Sequence, residues 1–303
     1  MLRVYSAAEV HAALPWAELS RTLEAAFLQG AEVPLRHAHR LGGDDSLLLM
    51  PAWNARVIVV KLVTVMPRST DTVQASVLVM DRASGQPLAL LDGEALTLRR
   101  TAATSALAAQ HLARADAQTL LVVGSGRLAG WMARAHVALR PGLRVAVWGR
   151  RSDAARALAA RLNSEGLAAA AVDELPAAVA AADIVCCATT ATQPVVLGAW
   201  LRPGTHLDLV GAFRPDMREV DDTAVQRATV VVDTFAGALA EAGDLTQPLA
   251  RGAIARDHIV AELAGLLRDG LGRPRRDDEI TLFKSVGTAL EDLAAAQQVV
   301  STD

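Results

Sequence analysis

Residues 119–130 read TLLVVGSGRLAG, and this stretch decides the fold. TLLVV is a continuous apolar run with no polar alternation, the pattern of a strand covered on both faces. It passes without a spacer into Gly124-Ser125-Gly126-Arg127-Leu128-Ala129, a G-x-G-x-x-A turn that opens a helix. Gly124 allows the tight turn, Gly126 lets the backbone approach a pyrophosphate, and Ala129 keeps the helix close to the strand. The helix N-terminus then offers unsatisfied N–H groups and a partial positive charge to phosphate oxygens. An ordinary strand-to-helix turn is the competing reading. The motif alone is weak, but its position directly after a buried strand and directly before a helix favours a dinucleotide site.

The helix runs to about Leu139 and is ended by Pro141-Gly142. The next strand, RVAVW at 144–148, leads into Gly149-Arg150-Arg151-Ser152. A site for NAD usually places Asp or Glu here to bond the ribose 2′-hydroxyl. Two guanidinium groups stand there instead, and Arg matches a phosphate in both charge and geometry. NADPH is therefore the expected cofactor, with NADH the second candidate.

Further downstream, strands are expected at 168–172, 184–188, 206–210 and 229–233, with helices at 152–165 and 174–181. This alternation argues a parallel sheet covered by helices. Upstream the texture differs. A capping box, Ser6 with Glu9, starts a helical stretch to Leu28, with a second helix beginning near Pro15 and Trp16. Short apolar runs at 46–52, 57–65, 75–81 and 87–91, parted by turn residues, read as strands of a largely antiparallel or mixed sheet. A long Ala-rich helix follows from Asp92 to Ala115, and a last one is expected at 279–300. The fold class is α/β: a doubly wound, Rossmann-like parallel-sheet domain over 116–278, inserted into a mixed α+β substrate and dimerisation domain formed by 1–115 and completed by 279–303.

Composition narrows the function classes. Hydrophobic residues are 52% and charged residues 21% of 303, enough for two buried cores and a solvated surface. A net charge of −3 lacks the basic excess of a nucleic-acid binder. No signal peptide or membrane span is legible, so a soluble cytoplasmic protein is expected. Cys186 and Cys187 are adjacent and read as small buried strand residues. His37 and His39 have no evident third ligand, so no metal is expected. His206 reads as structural, Asp221 and Asp222 as helix caps, and Asp277, Asp278 and Glu279 as a solvated helix start.

Lysine occurs only at 61 and 284. Lys61 sits inside the apolar strand VIVVKLVTV, an unfavourable place for an ammonium unless it is paired or functional; strand alternation allows it to face a cleft. Arg36 in PLRHAHR and Arg100 in LRRTAATSA are the other cations that stand out. Three cations facing one cleft would suit a small carboxylate ligand, although a surface role is the commoner fate of each Arg.

The ordered series PLRHAH, VVKLVT, LRRTAA, LVVGSGRLA, VAVWGRR, LVGAFRPDMREVDD and LFKSVGTALEDLAAA resembles the ornithine cyclodeaminase/mu-crystallin family over nearly the whole chain. The resemblance implies a homodimer formed through the N-terminal domain and the C-terminal helix, with a nicotinamide-binding domain between them in sequence. It implies that Arg36, Lys61 and Arg100 hold the substrate carboxylate and polarise its reacting end. Thr101 matches a position near the cofactor phosphates. Thr189, Phe213 and Lys284 are expected cofactor contacts, Lys284 within a segment, Phe283 to Gly287, that closes over the nicotinamide.

One segment sorts the family by chemistry. Cyclodeaminases and the alanine dehydrogenases that resemble them carry an Asp just after the paired glycines of the fifth strand. Here the matching position is Phe213, and Asp216 lies three residues on. This resembles the branch that reduces cyclic ketimino acids, Δ1-pyrroline-2-carboxylate to proline and Δ1-piperideine-2-carboxylate to pipecolate. Ornithine cyclodeamination, amino-acid dehydrogenation and a non-enzymatic dinucleotide- and ligand-binding role stay open as alternatives.

Overall fold

The computed structural model describes residues 2–69 and 72–301. The chain divides into two compact units, Met1–Thr104 with Thr288–Asp303, and Ser105–Gly287.

The first unit begins with β1 (Arg3–Tyr5), α1 (Ala7–Ala13) and α2 (Trp16–Gln29). The expected capping box is present: Ser6 Oγ accepts from the Glu9 N–H, and the Glu9 carboxylate accepts from the Ser6 N–H at 2.8 Å. Four strands form an antiparallel meander, β2 (His37–Gly42), β3 (Asp45–Trp53), β4 (Val57–Val65) and β5 (Val73–Asp81), continued by β6 (Pro87–Asp92). β1 adds in parallel to β6, so the sheet is mixed, in the order β1-β6-β5-β4-β3-β2. β4 alternates: Val57, Val59, Lys61 and Val63 are buried, and the residues between them are less so. Period-2 burial of this kind means one covered face. The cover is the last helix of the chain, which packs on β3, β4, β5 and α2. The helix α3 (Gly93–Leu112) leaves this unit, crossing the division between Thr104 and Ser105.

The second unit holds an eight-stranded sheet whose pairings are all parallel. Its elements run β7 (Thr119–Val123), α4 (Arg127–Leu139), β8 (Arg144–Trp148), α5 (Ser152–Ser164), β9 (Ala169–Ala171), α6 (Leu175–Ala181), β10 (Ile184–Cys187) and β11 (His206–Leu209). They continue through α7 (Asp222–Arg227), β12 (Ala228–Val232), α8 (Phe235–Glu241), α9 (Gly243–Ala250), β13 (Ile259–Glu262), α10 (Leu263–Asp269) and β14 (Ile280–Lys284). The helix α11 (Ala289–Ser301) returns the chain to the first unit. The spatial order is β13-β12-β14-β11-β10-β7-β8-β9. From β7 the chain proceeds to β8 and β9 on one side and then to β10 on the other. The crevice beyond the carboxyl ends of β7 and β10 is thus the topological switch point where doubly wound sheets bind ligands.

Several expectations are corrected. The stretch from Glu279 was read as helix, but Ile280–Lys284 is strand β14, fully buried between β11 and β12. The expected division at 278/279 accordingly falls at 287/288. Glu279 is not solvated: it is 3% exposed, and it accepts from Arg273 and Thr229 and, at 3.1 Å, from the Arg276 N–H. The division expected at 115/116 falls at 104/105. Asp222 is the first residue of α7 and pairs with Arg218 and Arg251 in place of capping. Asp277 and Asp278 are exposed in a turn before β14, not at a helix start. Other structural readings hold. Cys186 and Cys187 are buried and unbridged. Asp221 caps α7 through the Ala224 N–H. His206 is buried at the start of β11, 2.9 Å from Thr281 Oγ1, and burial pulls its pKa down to about 3. Among the described residues no helix is long and apolar enough to cross a membrane.

Candidate functional site

In the first unit, Lys61 and Arg100 meet at a pair of carboxylates. Lys61, opposite Met50 and Val77 in the sheet, turns onto the face that α11 covers and is 2% exposed. Its Nζ lies 2.9 Å from Asp292 Oδ1 and 2.7 Å from Oδ2. Arg100 comes from α3; its Nε donates to Asp292 Oδ1 at 3.0 Å and its Nη1 to Glu291 Oε2 at 2.7 Å. Glu291 and Asp292 are fully buried. Two cations and two anions thus meet in one buried cluster, the kind of pairing that makes such burial tolerable.

The electrostatics follow from this geometry. Burial, with Arg100 and Arg36 adding to it, lowers the Lys61 ammonium to about 8 against the pull of Asp292. Burial works against the Asp292 carboxylate, but Lys61 and Arg100 outweigh it and hold the group below the usual range. Burial likewise disfavours charged Arg100, and Asp292 and Glu291 more than compensate. Arg36 is half-buried and near enough to act on Lys61. Lys61 and Arg100 are therefore brought together at Asp292, with Arg36 near enough to lower the Lys61 ammonium. The correction is that Lys61 is all but buried, on the face of the sheet that α11 covers. Glu291 and Asp292 were missed. Their signal was present: two carboxylates in a helix whose other first-turn positions, Ala289, Leu290 and Leu293, are apolar are as anomalous as a lysine in VIVVKLVTV. Thr101 follows Arg100 on α3 and is buried.

In the second unit the glycine turn stands as expected. Gly124 has φ +131°, a conformation that glycine alone adopts readily, and a Cβ there would lie 2.5 Å from the Ala188 oxygen. Gly126 is the N-cap of α4, whose first turn has no side-chain cap. Apart from Gly126's own chain neighbours, no described atom lies within 4 Å of the position a Cβ there would take, so a ligand can approach the helix end. Arg127 is exposed, Leu128 half-buried and Ala129 buried against the sheet. Gly149 packs against Ser125, 2.8 Å separating its would-be Cβ from the Ser125 Oγ, which sets the end of β8 beside the turn. Arg150, Arg151 and Ser152 are exposed there, and α5 also begins without a side-chain cap. Uncapped helix ends, an open glycine and two exposed guanidinium groups suit a phosphate-bearing dinucleotide.

Thr189 and Phe213 extend the same edge beyond β10 and β11. Phe213 is 43% exposed. Asp216, the carboxylate next along, is held by both oxygens to Arg214, each at 2.9 Å. Lys284 is different from expectation. Its side chain is fully buried, and its Nζ pairs with Asp244 Oδ2 at 3.0 Å, so it props the sheet from within and does not line the edge. The Ser285–Gly287 segment after it is tied down by Asp233, which accepts from the Val286 and Gly287 N–H groups at 2.8 Å each.

A family model described as the ornithine cyclodeaminase/mu-crystallin family matches residues 2–302. The Δ1-pyrroline-2-carboxylate reductase of Paracoccus denitrificans is 46% identical over 233 residues, 77% of this chain and 74% of that one. The enzyme of the same name from Colwellia psychrerythraea is 37% identical over 311 residues, 99% of this chain and 98% of its own. Among solved structures, Thermococcus litoralis Δ1-pyrroline-2-carboxylate reductase in complex with NADH and L-proline aligns with a TM-score of 0.93 at 33% identity, covering 99% of this chain and 97% of that one.

Proposed function

This chain belongs to the ornithine cyclodeaminase/mu-crystallin family, and from that membership we propose that it is a nicotinamide-dependent imine reductase, converting Δ1-pyrroline-2-carboxylate to L-proline and Δ1-piperideine-2-carboxylate to L-pipecolate with NADPH as the preferred reductant. The observation that carries the substrate class is Phe213 at the end of β11, with the neighbouring Asp216 neutralised by Arg214. A cyclic imine has no amine to deprotonate and no water to activate, so it needs no carboxylate there. The relatives named as reductases of this imine and the neighbour solved with NADH and L-proline support the reading.

The reduced nicotinamide, when bound, supplies the hydride that turns the C=N bond into CH–NH. The chain's own residues do the rest. Arg100 spends Nε and Nη1 on Asp292 and Glu291, which fixes the guanidinium plane and leaves Nη2 for a substrate carboxylate oxygen. Arg36 adds a second positive charge beside it. Lys61, lowered to about 8, still carries its proton at neutral pH and holds it at Nζ for the ring nitrogen. Asp292 orients both cations. Holding the substrate in register in this way contributes several kcal/mol to lowering the barrier.

We assign the NADPH preference to Arg150 and Arg151. In a spectrophotometric assay with Δ1-pyrroline-2-carboxylate, Arg150→Ala should lower kcat/KM for NADPH about tenfold, the loss of one charge-assisted phosphate contact, and leave NADH nearly unchanged. An unchanged ratio of the two cofactors would overturn the assignment. A homodimer completes the reading. Ile58, Val60, Leu62, Leu78 and Leu88 lie on the sheet face opposite Lys61, and none is buried. Sedimentation at micromolar concentration should show a two-chain particle, and a monomer would contradict it.

A further inference from the structure

We propose that Glu219 is a positioning residue of the dinucleotide site: its carboxylate clamps the chain just beyond β10 and β11, against which the Gly124 turn is seated. The proposal rests on the reading that this edge takes a nicotinamide dinucleotide.

Glu219 is fully buried in a loop that precedes α7. Its acceptors are all used on the sheet edge. Oε1 accepts from the Thr189 N–H at 2.7 Å and from the Thr189 hydroxyl at 2.9 Å, while Oε2 accepts from the Gly211 N–H at 2.7 Å. One side chain therefore ties the residue two beyond β10 to the residue two beyond β11. The fit has no slack. A Cβ on Gly211 would lie 2.0 Å from the Thr189 oxygen and 2.2 Å from Glu219 Oε1. The clamp reaches the phosphate turn through one more contact: a Cβ on Gly124 would sit 2.5 Å from the Ala188 oxygen and 3.7 Å from Thr189 Cγ2. Movement of Thr189 thus moves the wall behind Gly124.

A second layer holds the clamp. The Glu219 and Val220 N–H groups donate to Asp244 Oδ1 at 2.7 and 3.1 Å, and Asp244 Oδ2 pairs with Lys284 Nζ at 3.0 Å. This gives Lys284 its place: it neutralises the layer beneath the edge. Two carboxylates and one ammonium, all buried, carry one excess negative charge when fully ionised. Burial raises Glu219 to about 7, with Asp244 adding to the effect and Lys284 and the two N–H bonds opposing it. From β10, the Cys186 and Cys187 thiols also act on this region; burial pushes both well up, so they stay neutral.

The consequence has a definite sign. Protonated Glu219 turns one acceptor oxygen into a donor, and either Gly211 or Thr189 then faces a hydrogen with its own. The clamp is complete above about pH 7 and loosens below it, so dinucleotide binding should weaken as pH falls. The test is titration of NADH fluorescence on the whole protein from about pH 6 to about pH 8.5. NADH is used because it lacks the 2′-phosphate, a monoester that itself titrates near pH 6.

For the wild type we expect Kd to rise several-fold below about pH 7. For Glu219→Gln, which keeps the shape but not both acceptors, we expect Kd about tenfold weaker above pH 7 and flat across the range, with kcat at saturating NADH within about twofold of wild type. Thr189→Val, which removes only the hydroxyl bond, should weaken Kd about threefold and keep the pH dependence. It supplies the answer if Glu219→Gln fails to fold by thermal melting. A pH-independent wild-type Kd, or variants that bind as the wild type does, would overturn the role of Glu219 alone. A wild type that binds no NADH at any pH would instead overturn the dinucleotide reading itself.

Discussion

Arg100→Ala is expected to lower kcat/KM for Δ1-pyrroline-2-carboxylate by at least about 100-fold, roughly 2.7 kcal/mol of transition-state stabilisation. The size follows from what the guanidinium does. It is 5% exposed, and its plane is fixed by Asp292 at 3.0 Å and Glu291 at 2.7 Å, which leaves Nη2 as the donor for a carboxylate. A charge-assisted bond of this kind is worth about twice a neutral one. The substitution also strips two buried carboxylates of a cation, which costs about 3–5 kcal/mol of folding stability. Arg100→Lys separates the two effects: it keeps the charge and loses the planar fork. It should melt near the wild type and still lose most of the rate, chiefly through KM. Lys61→Ala should cost a similar factor, since it removes the proton held at Nζ and leaves Asp292 to Arg100 alone. Steady-state rates close to wild type in both Ala variants would remove the carboxylate-binding assignment.

Gly124→Val should abolish dinucleotide binding, raising Kd for NADH at least about 100-fold. Two independent costs meet at this position. The backbone has φ +131°, which a β-branched residue does not adopt without strain. A Cβ would also stand 2.5 Å from the Ala188 oxygen, a backbone atom that can move only if β10 moves. Because β7 and β10 are paired from Ile184 to Cys187, the strain is relieved by lifting the turn off the sheet, and the N-terminus of α4 moves with it. The core residues Leu120 to Val123 keep their contacts, so thermal melting should show a folded protein. Fluorescence titration giving a wild-type Kd for the Val variant would show that the turn does not carry the nucleotide.

How much of this was legible in the sequence depended on the range of the interaction. The β7-turn-α4 unit is local: a buried strand, its glycines and its helix lie within twenty-odd residues, and each reports on the next. β4 was read to the residue, because its nine-residue run VIVVKLVTV and the turn residues that bound it are local as well. β14 was not. A five-residue apolar run before an Ala-rich helix has too few residues to show its period, and its place between β11 and β12 is set by strands far away in sequence. The buried cation site shows the same divide. Lys61 was anomalous in its own strand, but its partner lies 231 residues away, and nothing local says which acid it meets. Lys284 was anomalous in the same way and was placed at the cofactor, whereas the sheet turns it towards Asp244. Glu219 carried no local signal, since REVDD reads as a polar loop until Gly211 and Thr189 are folded onto it.

The claim on which the account stands is hydride delivery to the carbon of a cyclic imine. It is tested most directly by mass spectrometry of the product formed from Δ1-pyrroline-2-carboxylate and NADPH deuterated at the nicotinamide C4, each epimer in turn. The account predicts L-proline with one deuterium at Cα from one of the two epimers, and no ammonia from ornithine in a parallel reaction. Proline absent with both epimers, or ammonia released from ornithine without added reductant, would contradict it.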